Sequence, residues 1–256
     1  MNCRVCGAAS APFGRARIRG QHEVAYFRCT QCGFVQTEQP YWLEEAYREP
    51  INRSDTGILA RNYALARITA ALLWGLFDPR GRFVDYGGGY GVFVRLMRDM
   101  GFDFWWHDPH APNLFAQGFE FRPGSGPVEL VTAFECVEHM AEPVAEVEEI
   151  LRISPSLLLS TEVVPEPAPP PGRWWYYGLD HGQHLGLFTV RALSVLARRL
   201  GGELCSAGPL HLLTRRKRSA LRFRWLVHAA PVLWPLVRRG RTSRTAADSV
   251  QARDEP

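Results

Sequence analysis

Three sets of residues in this 256-residue chain combine type and spacing in ways that could do chemistry. Two near-identical turns, Cys3-x2-Cys6-Gly7 and Cys29-x2-Cys32-Gly33, stand 22 residues apart. Each can aim two thiolates at one tetrahedral centre, and the glycine permits the tight turn. Disulfides are the competing explanation, and they fit poorly in a chain read as cytoplasmic. Four sulfur ligands leave no open position, so the zinc expected here folds its module and does not catalyse. The second set is Asp85, Gly87, Gly89 and Gly91, an acid followed by alternating glycines. Glycine serves where a chain reverses at positive φ or where a ligand must approach bare backbone. The third set lies on a long loop, Trp174-Trp175-Tyr176-Tyr177 and then His181-Gly182-Gln183-His184. Histidine changes charge near neutral pH and can act as a general base. A loop of this kind reads either as a lid over a site or as a hydrophobic plug over the core.

The elements that must hold these residues follow from the hydrophobic pattern. Phe83-Val84 is a short strand that runs into the glycines, and Phe93, Leu96, Met97 and Met100 form one face of a helix closed by Gly101. A helix N-terminus just past a glycine turn offers unpaired N–H groups to a polar ligand. A second strand ends at Asp108, 23 residues after Asp85, where doubly wound folds place an acid on ribose hydroxyls. Further along, the pattern predicts a short helix over 111–118, a weak strand over 119–121 and a buried strand over 128–134. A helix from Pro143, an apolar strand over 156–161, a helix capped by Thr189 and an antiparallel pair over 203–207 and 210–214 complete the domain. Upstream, residues 54–57 cap a helix running to about residue 77, with Leu59, Tyr63, Ala66, Ala70 and Leu73 at helical spacing. Tyr47, Arg53 and Asp55 are candidates to line a cleft beside it.

A nicotinamide fingerprint would need a third glycine at position 92, which is Val92. The stretch Val84-Asp85-Tyr86-Gly87-Gly88-Gly89-Tyr90-Gly91 instead resembles the first motif of class I S-adenosylmethionine-dependent methyltransferases. Trp106-His107-Asp108-Pro109 is similar to the acidic end of their second strand, and Phe134-Glu135-Cys136-Val137-Glu138-His139 with Pro143 to their fourth-strand segment. The resemblance covers about residues 52–214. It implies that Gly87, Gly89 and Gly91 pass beneath the methionine moiety of the cofactor, with Asp85 near its ammonium. It also implies Asp108 on the ribose hydroxyls, and Phe134 and Glu135 flanking the adenine and the methionyl tail. An N-terminal four-cysteine zinc module joined to such a domain resembles deoxysugar C-methyltransferases and related enzymes of polysaccharide clusters. There His184 would match the general base, with Tyr176, Tyr177 and His181 shaping the acceptor pocket. Gln183 stands where those enzymes have Glu, and His181 where they have Tyr.

The expected fold is therefore α/β, a Rossmann-like doubly wound and mostly parallel sheet. Residues 1–40 form a zinc ribbon, 41–214 the S-adenosylmethionine-dependent methyltransferase domain, and 215–256 a basic, aromatic and partly disordered extension. The expected acceptor is a small molecule, a sugar or related biosynthetic intermediate. A second class of reading is a zinc-ribbon protein that binds RNA or a protein partner, with its Rossmann-like domain acting as a scaffold or modifying RNA.

Composition bounds these readings. The chain is 46% hydrophobic and 22% charged, ordinary for a globular protein, with a formal net charge of +4. That excess belongs to one end, because residues 205–247 contain no Asp or Glu. No stretch approaches the ~20 apolar residues of a membrane span, and the N-terminus has no apolar signal core, so a cytoplasmic protein is expected. The mild charge and the lack of a repeated aromatic stacking pattern weigh against nucleic acid as partner. Three roles compete for the basic segment: docking onto the domain, contact with anionic lipid headgroups, and phosphate contacts. Pro231 and Pro235 are expected to break it, and residues after Thr245 to be disordered.

Overall fold

The computed structural model describes residues 1–48 and 55–254. Arg53 and Ser54 lie outside the described residues. The first elements are three antiparallel strands, β1 (Ser10–Ile18), β2 (His22–Cys29) and β3 (Val35–Thr37), then the short helix α1 (Leu43–Ala46). Helix α2 (Ile58–Leu76) leads into β4 (Arg82–Tyr86), α3 (Val92–Asp99), β5 (Asp103–His107) and β6 (Leu130–Phe134). Next come α4 (Pro143–Ile153), β7 (Ser156–Ser160), a two-residue strand β8 (Gly186–Leu187) and α5 (Val190–Arg199). The hairpin β9 (Glu203–Ala207) and β10 (Leu210–Thr214) precedes α6 (Ala220–Arg239) and α7 (Thr245–Asp254).

Six strands form the central sheet in the order β5-β4-β6-β7-β10-β9. The first four are parallel, and β10 enters antiparallel to β7 and β9. The strand order reverses at β4, which lies between β5 and β6, and such a switch point opens a crevice at the carboxyl ends of the strands. Helices cover both faces. On one, α2, α3 and α6 enclose Leu73, Phe83, Phe93, Phe104 and Leu226. On the other, Ile150, Leu159, Leu193 and Leu196 join Val84 and Val131. This is the mixed α/β architecture expected, with Pro143 at the first turn of α4 and Thr189 accepting the Ala192 N–H at the start of α5.

The N-terminal module is not a free-standing ribbon. β3 pairs with β8, so its sheet takes its fourth strand from the segment that follows the histidine loop. Cys3, Cys29, Cys32 and Phe34 belong to the same apolar cluster as Phe188 and Leu193.

Several expectations are corrected. No helix forms over 111–118. The Asp108 carboxylate accepts the His110 and Ala111 N–H groups, and the Asn113 side chain accepts that of Ala116. Such side-chain bonds compete with helical ones, and the expected weak strand shrinks to one bridge between Trp106 and Glu120. On α2, Leu59 and Tyr63 are exposed, and the packed face runs through Leu65, Ala66, Ala70, Leu72 and Leu73. The prolines do not break α6, which is one helix with Pro231 and Pro235 inside it. Both face solvent, and Arg67 of α2 donates to the Pro231 carbonyl that Pro235 cannot satisfy (3.4 Å). Residues 246–254 are not disordered. They form α7, whose Asp248 binds the buried Arg98 guanidinium at 2.8 and 2.7 Å.

Candidate active site

A cavity of about 1050 Å³ opens at the carboxyl ends of β4 and β6. One wall is the glycine turn. Asp85, the fourth residue of β4, is buried, and its Oδ1 accepts the Thr132 hydroxyl at 2.6 Å. Burial pushes the Asp85 carboxyl up to about 7, opposed by the Thr132 bond and helped by the negative charge of Asp108. Gly87 holds φ +68, and a Cβ there would sit 2.9 Å from the Cys136 sulfur, so bare backbone is required at this bend. Gly89 donates its N–H to Asp108 Oδ2 at 2.9 Å, while its carbonyl accepts the Trp106 indole N–H at 2.9 Å. Asp108 is thus locked to the turn at the tip of β5. Its Oδ1 takes two further backbone N–H groups, at 2.7 and 2.9 Å.

Asp85, Gly87, Gly89, Asp108, Phe134 and Glu135 all line this cavity. Gly91 does not. It has φ +85 at the start of α3, and a Cβ would meet Asn113 Oδ1 at 2.8 Å and Ala116 N at 3.0 Å. Its absent side chain lets the 113–116 loop close on the turn, a packing role in place of the ligand contact expected of it.

The opposite wall is built on the histidine loop. Trp42 donates its indole N–H to the Gly182 carbonyl (2.7 Å), and Gln183 its amide to the Ala46 carbonyl (2.9 Å), which clamps the loop to α1. The Nδ1–H of His184 donates to the Tyr176 carbonyl at 2.6 Å, because a carbonyl can only accept. This fixes the tautomer and leaves Nε2 as the basic nitrogen. Burial, reinforced by neighbouring His181, lowers the His184 pKa to about 4. The rings of His139 and His181 meet that of His184 edge-on, with centroids 4.9 and 4.8 Å away. His181 and Tyr176 line the cavity as expected, but Tyr177 does not. Tyr177 is buried edge-on against Tyr26 of β2, and its hydroxyl donates to the Pro169 carbonyl at 2.8 Å.

Between the walls lies a group that sequence reasoning quoted only as part of a motif. The Tyr176 hydroxyl lies 2.5 Å from Glu138 Oε1 and 3.1 Å from Glu135 Oε2. Glu138 is fully buried, and its Oε2 has no partner among the described residues. Burial, then the charge of Glu135, raises its pKa to about 8. One donor atom from each of Glu138, His139 and His184 lies within 4.8 Å of the others, so the three could hold a cation. Tyr47 joins them, its hydroxyl 3.3 Å from His139 Nδ1. The spacing of Glu135-x2-Glu138-His139 at the end of a buried strand was the available signal. Tyr47 and Asp55 line the cavity as expected, with Asp55 paired to Arg61.

Outside the cavity lining, the sulfurs of Cys3, Cys6, Cys29 and Cys32 lie within 4.8 Å of one another. The Cys3–Cys32 and Cys6–Cys29 separations are 3.6 and 3.3 Å, and none is disulfide-bonded. A zinc with bonds of about 2.3 Å to four sulfurs has sulfur–sulfur edges of about 3.8 Å. The Cys6 and Cys32 N–H groups point at the Cys3 and Cys29 sulfurs, and Gly7 and Gly33 hold φ +79 and +76. The donor set fits a structural zinc.

A family model described as a methyltransferase domain matches residues 59–207, more than half of the chain. No curated protein sequence matches. Among solved structures the fold is similar to PigF with SAH, at 17% identity and a TM-score of 0.50 over 70% of this chain. The alignment spans 63% of the length of PigF. It is also similar to the magnesium protoporphyrin IX methyltransferase ChlM of Synechocystis PCC 6803 with bound SAH (11% identity, TM-score 0.45, 70% of this chain and 90% of that one). A third is the mitomycin 7-O-methyltransferase MmcR (17%, 0.42, 68% and 60%).

Proposed function

Because the chain belongs to the methyltransferase-domain family, we propose that it transfers the methyl group of S-adenosylmethionine to a small-molecule acceptor. The acceptor class is a sugar or related biosynthetic intermediate. The observation that carries this reading is the cradle formed by the glycine turn, buried Asp85 and the Asp108 carboxylate fixed beneath it. A cofactor without phosphates and with two positive centres suits an acidic pocket, where a pyrophosphate would not. Asp85 receives the ammonium, Asp108 the ribose hydroxyls, and Phe134 and Glu135 flank the adenine and the methionyl tail.

The cofactor supplies a methyl group on a positive sulfur that is already a good leaving group. The chain's own task is to hold the acceptor in line and to take a proton if the reacting atom carries one. His184 takes that proton at Nε2. The Tyr176 carbonyl orients its ring, and burial keeps Nε2 unprotonated at neutral pH. His181 and the ring of Tyr176 bound the acceptor side, and Tyr177 supports them from the core. The four cysteines hold a structural zinc that fixes β3 and, through β8, the loop carrying His184.

A thermal-shift comparison of zinc-loaded protein with S-adenosylmethionine, S-adenosylhomocysteine and NAD tests the cofactor. Stabilisation by the first two and not by NAD is expected, and a shift with NAD alone would sink the reading. Glu138 Oε2, without a hydrogen-bond partner among the described residues, favours a second mechanism, in which Glu138, His139 and His184 would hold a divalent cation that would supply Lewis-acid chemistry to an acceptor oxygen. Titration of zinc-loaded protein with Mn2+ separates the two. Saturable one-site uptake that Glu138→Gln removes would select the cation, and no uptake leaves His184 as the base.

A further inference from the structure

Helix α6 has two apolar faces, and the fold uses only one. Phe223, Leu226, Ala230, Trp234 and Val237 are buried, with Leu226 seated against Gly75 of α2. On the outer side Leu221, Trp225, Val232 and Leu236 are 77, 57, 76 and 61% exposed. At about 100° per residue these four fall within roughly 60° of one another around the helix axis. Arg222, Arg224, Arg238 and Arg239 are exposed on the same helix, and no acid occurs between Glu203 and Asp248. Single exposed apolar residues need no explanation, but an aligned row rimmed by arginines does.

The same helix walls the cavity. Val227 and His228 line it together with Ile58, Leu65 and Ile68 of α2, and Leu59 and Tyr63 are exposed on that helix. On the helical wheel His228 falls at the edge of the outer stripe. The stripe and the cavity therefore share a border.

We propose that the outer face of α6 docks on an anionic bilayer and sets the cavity mouth at the lipid–water interface, where the acceptor arrives as the polar head of a membrane amphiphile. The acceptor half of this proposal rests on the methyl-transfer reading above. Leu221, Trp225, Val232 and Leu236 enter the headgroup boundary, and the arginines, with flexible stems, meet lipid phosphates. A second copy of the chain is a poorer occupant, because it would set arginines against arginines with no acid on the helix to pair them. Nucleic acid would engage the arginines and leave the apolar row in water.

The test is flotation of full-length, zinc-loaded protein with vesicles of phosphatidylcholine alone or mixed with phosphatidylglycerol. Flotation with the anionic vesicles only is expected. Replacing the row together, as Leu221→Ser, Trp225→Ser, Val232→Ser and Leu236→Ser, should weaken it about tenfold or more. All four side chains are exposed, so stabilisation by S-adenosylhomocysteine should survive; its loss would indict the cofactor reading, whereas lost flotation alone concerns the membrane. Brominated lipid should also quench a part of the emission that Trp225→Phe lacks. Equal flotation of variant and parent, no flotation of either, or a dimer that the variant dissolves in place of vesicle binding would each overturn the proposal.

Discussion

His184 combines a fixed tautomer with a pKa lowered to about 4, chiefly by burial. It is therefore neutral across the ordinary pH range and can accept a proton at Nε2 without first losing one. His184→Ala is expected to lower turnover by about 10²–10⁴, the usual worth of a positioned base, while stabilisation by S-adenosylhomocysteine persists. Loss of both together would assign the residue to structure. Asp85 behaves in the opposite sense. Burial holds its proton up to about 7, and an arriving ammonium favours the carboxylate. Cofactor binding at about pH 6 should then expel up to one proton, and fewer as the pH rises past 7. Calorimetry in two buffers of different ionisation enthalpy reads this directly. Equal heats in both, or a proton still released by Asp85→Asn, would remove Asp85 from the ammonium site. The same shift acts on stability. The folded chain keeps a proton that the unfolded chain gives up near pH 4, so this group's contribution falls as pH rises through about 7.

At the level of elements, α7 shows how a charge inside the core recruits a distant segment. Arg98 of α3 is buried and reaches Asp248, Asp103 and the Phe104 carbonyl, with its guanidinium also over the Phe119 ring. A buried guanidinium needs an anion, and Asp248 brings α7 with it. Asp248→Ala leaves Arg98 with only part of its partners, and should cost about 3 kcal/mol of stability, the low end for breaking a buried pair. Chemical denaturation measures this, and a change under about 0.5 kcal/mol, typical of a surface site, would show that α7 is merely attached. The glycine turn follows a related logic with shape in place of charge. Gly87 yields space to Cys136 and Gly91 to Asn113, so two glycines of one motif serve different neighbours.

Across the whole molecule, the four-cysteine module and the cavity are joined by few but direct links. β3 pairs with β8, and the Thr37 N–H donates to the Leu185 carbonyl one residue beyond His184. Cys3, Cys29 and Cys32 lie in the same apolar cluster as Phe188. Stripping zinc under reducing conditions is expected to unfold the module and to loosen residues 183–188, because binding free energy there is folding free energy. Hydrogen exchange should rise over that segment and turnover should fall, while the glycine turn stays protected. Unchanged exchange over 183–188 would show that the module is decoupled from the site.

Local chemistry was readable without coordinates. The cysteine spacing, the acid at the end of each of two strands and the glycines between them fix their geometry within a few residues, and each is built by short-range backbone constraint. The apolar runs mark the strands themselves, whereas their order around β4 is set by packing in the folded sheet. Tertiary packing alone decided the rest. Tyr177 turned to the core because Tyr26 was there to meet it, and residues 111–118 unwound because Asp108 and Asn113 bound their N–H groups. The tail folded because Arg98, more than a hundred residues earlier in the chain, is buried with Asp103 as a partial partner and takes Asp248 as a closer, two-pronged one. Those outcomes depend on partners distant in sequence, whose meeting no local pattern encodes.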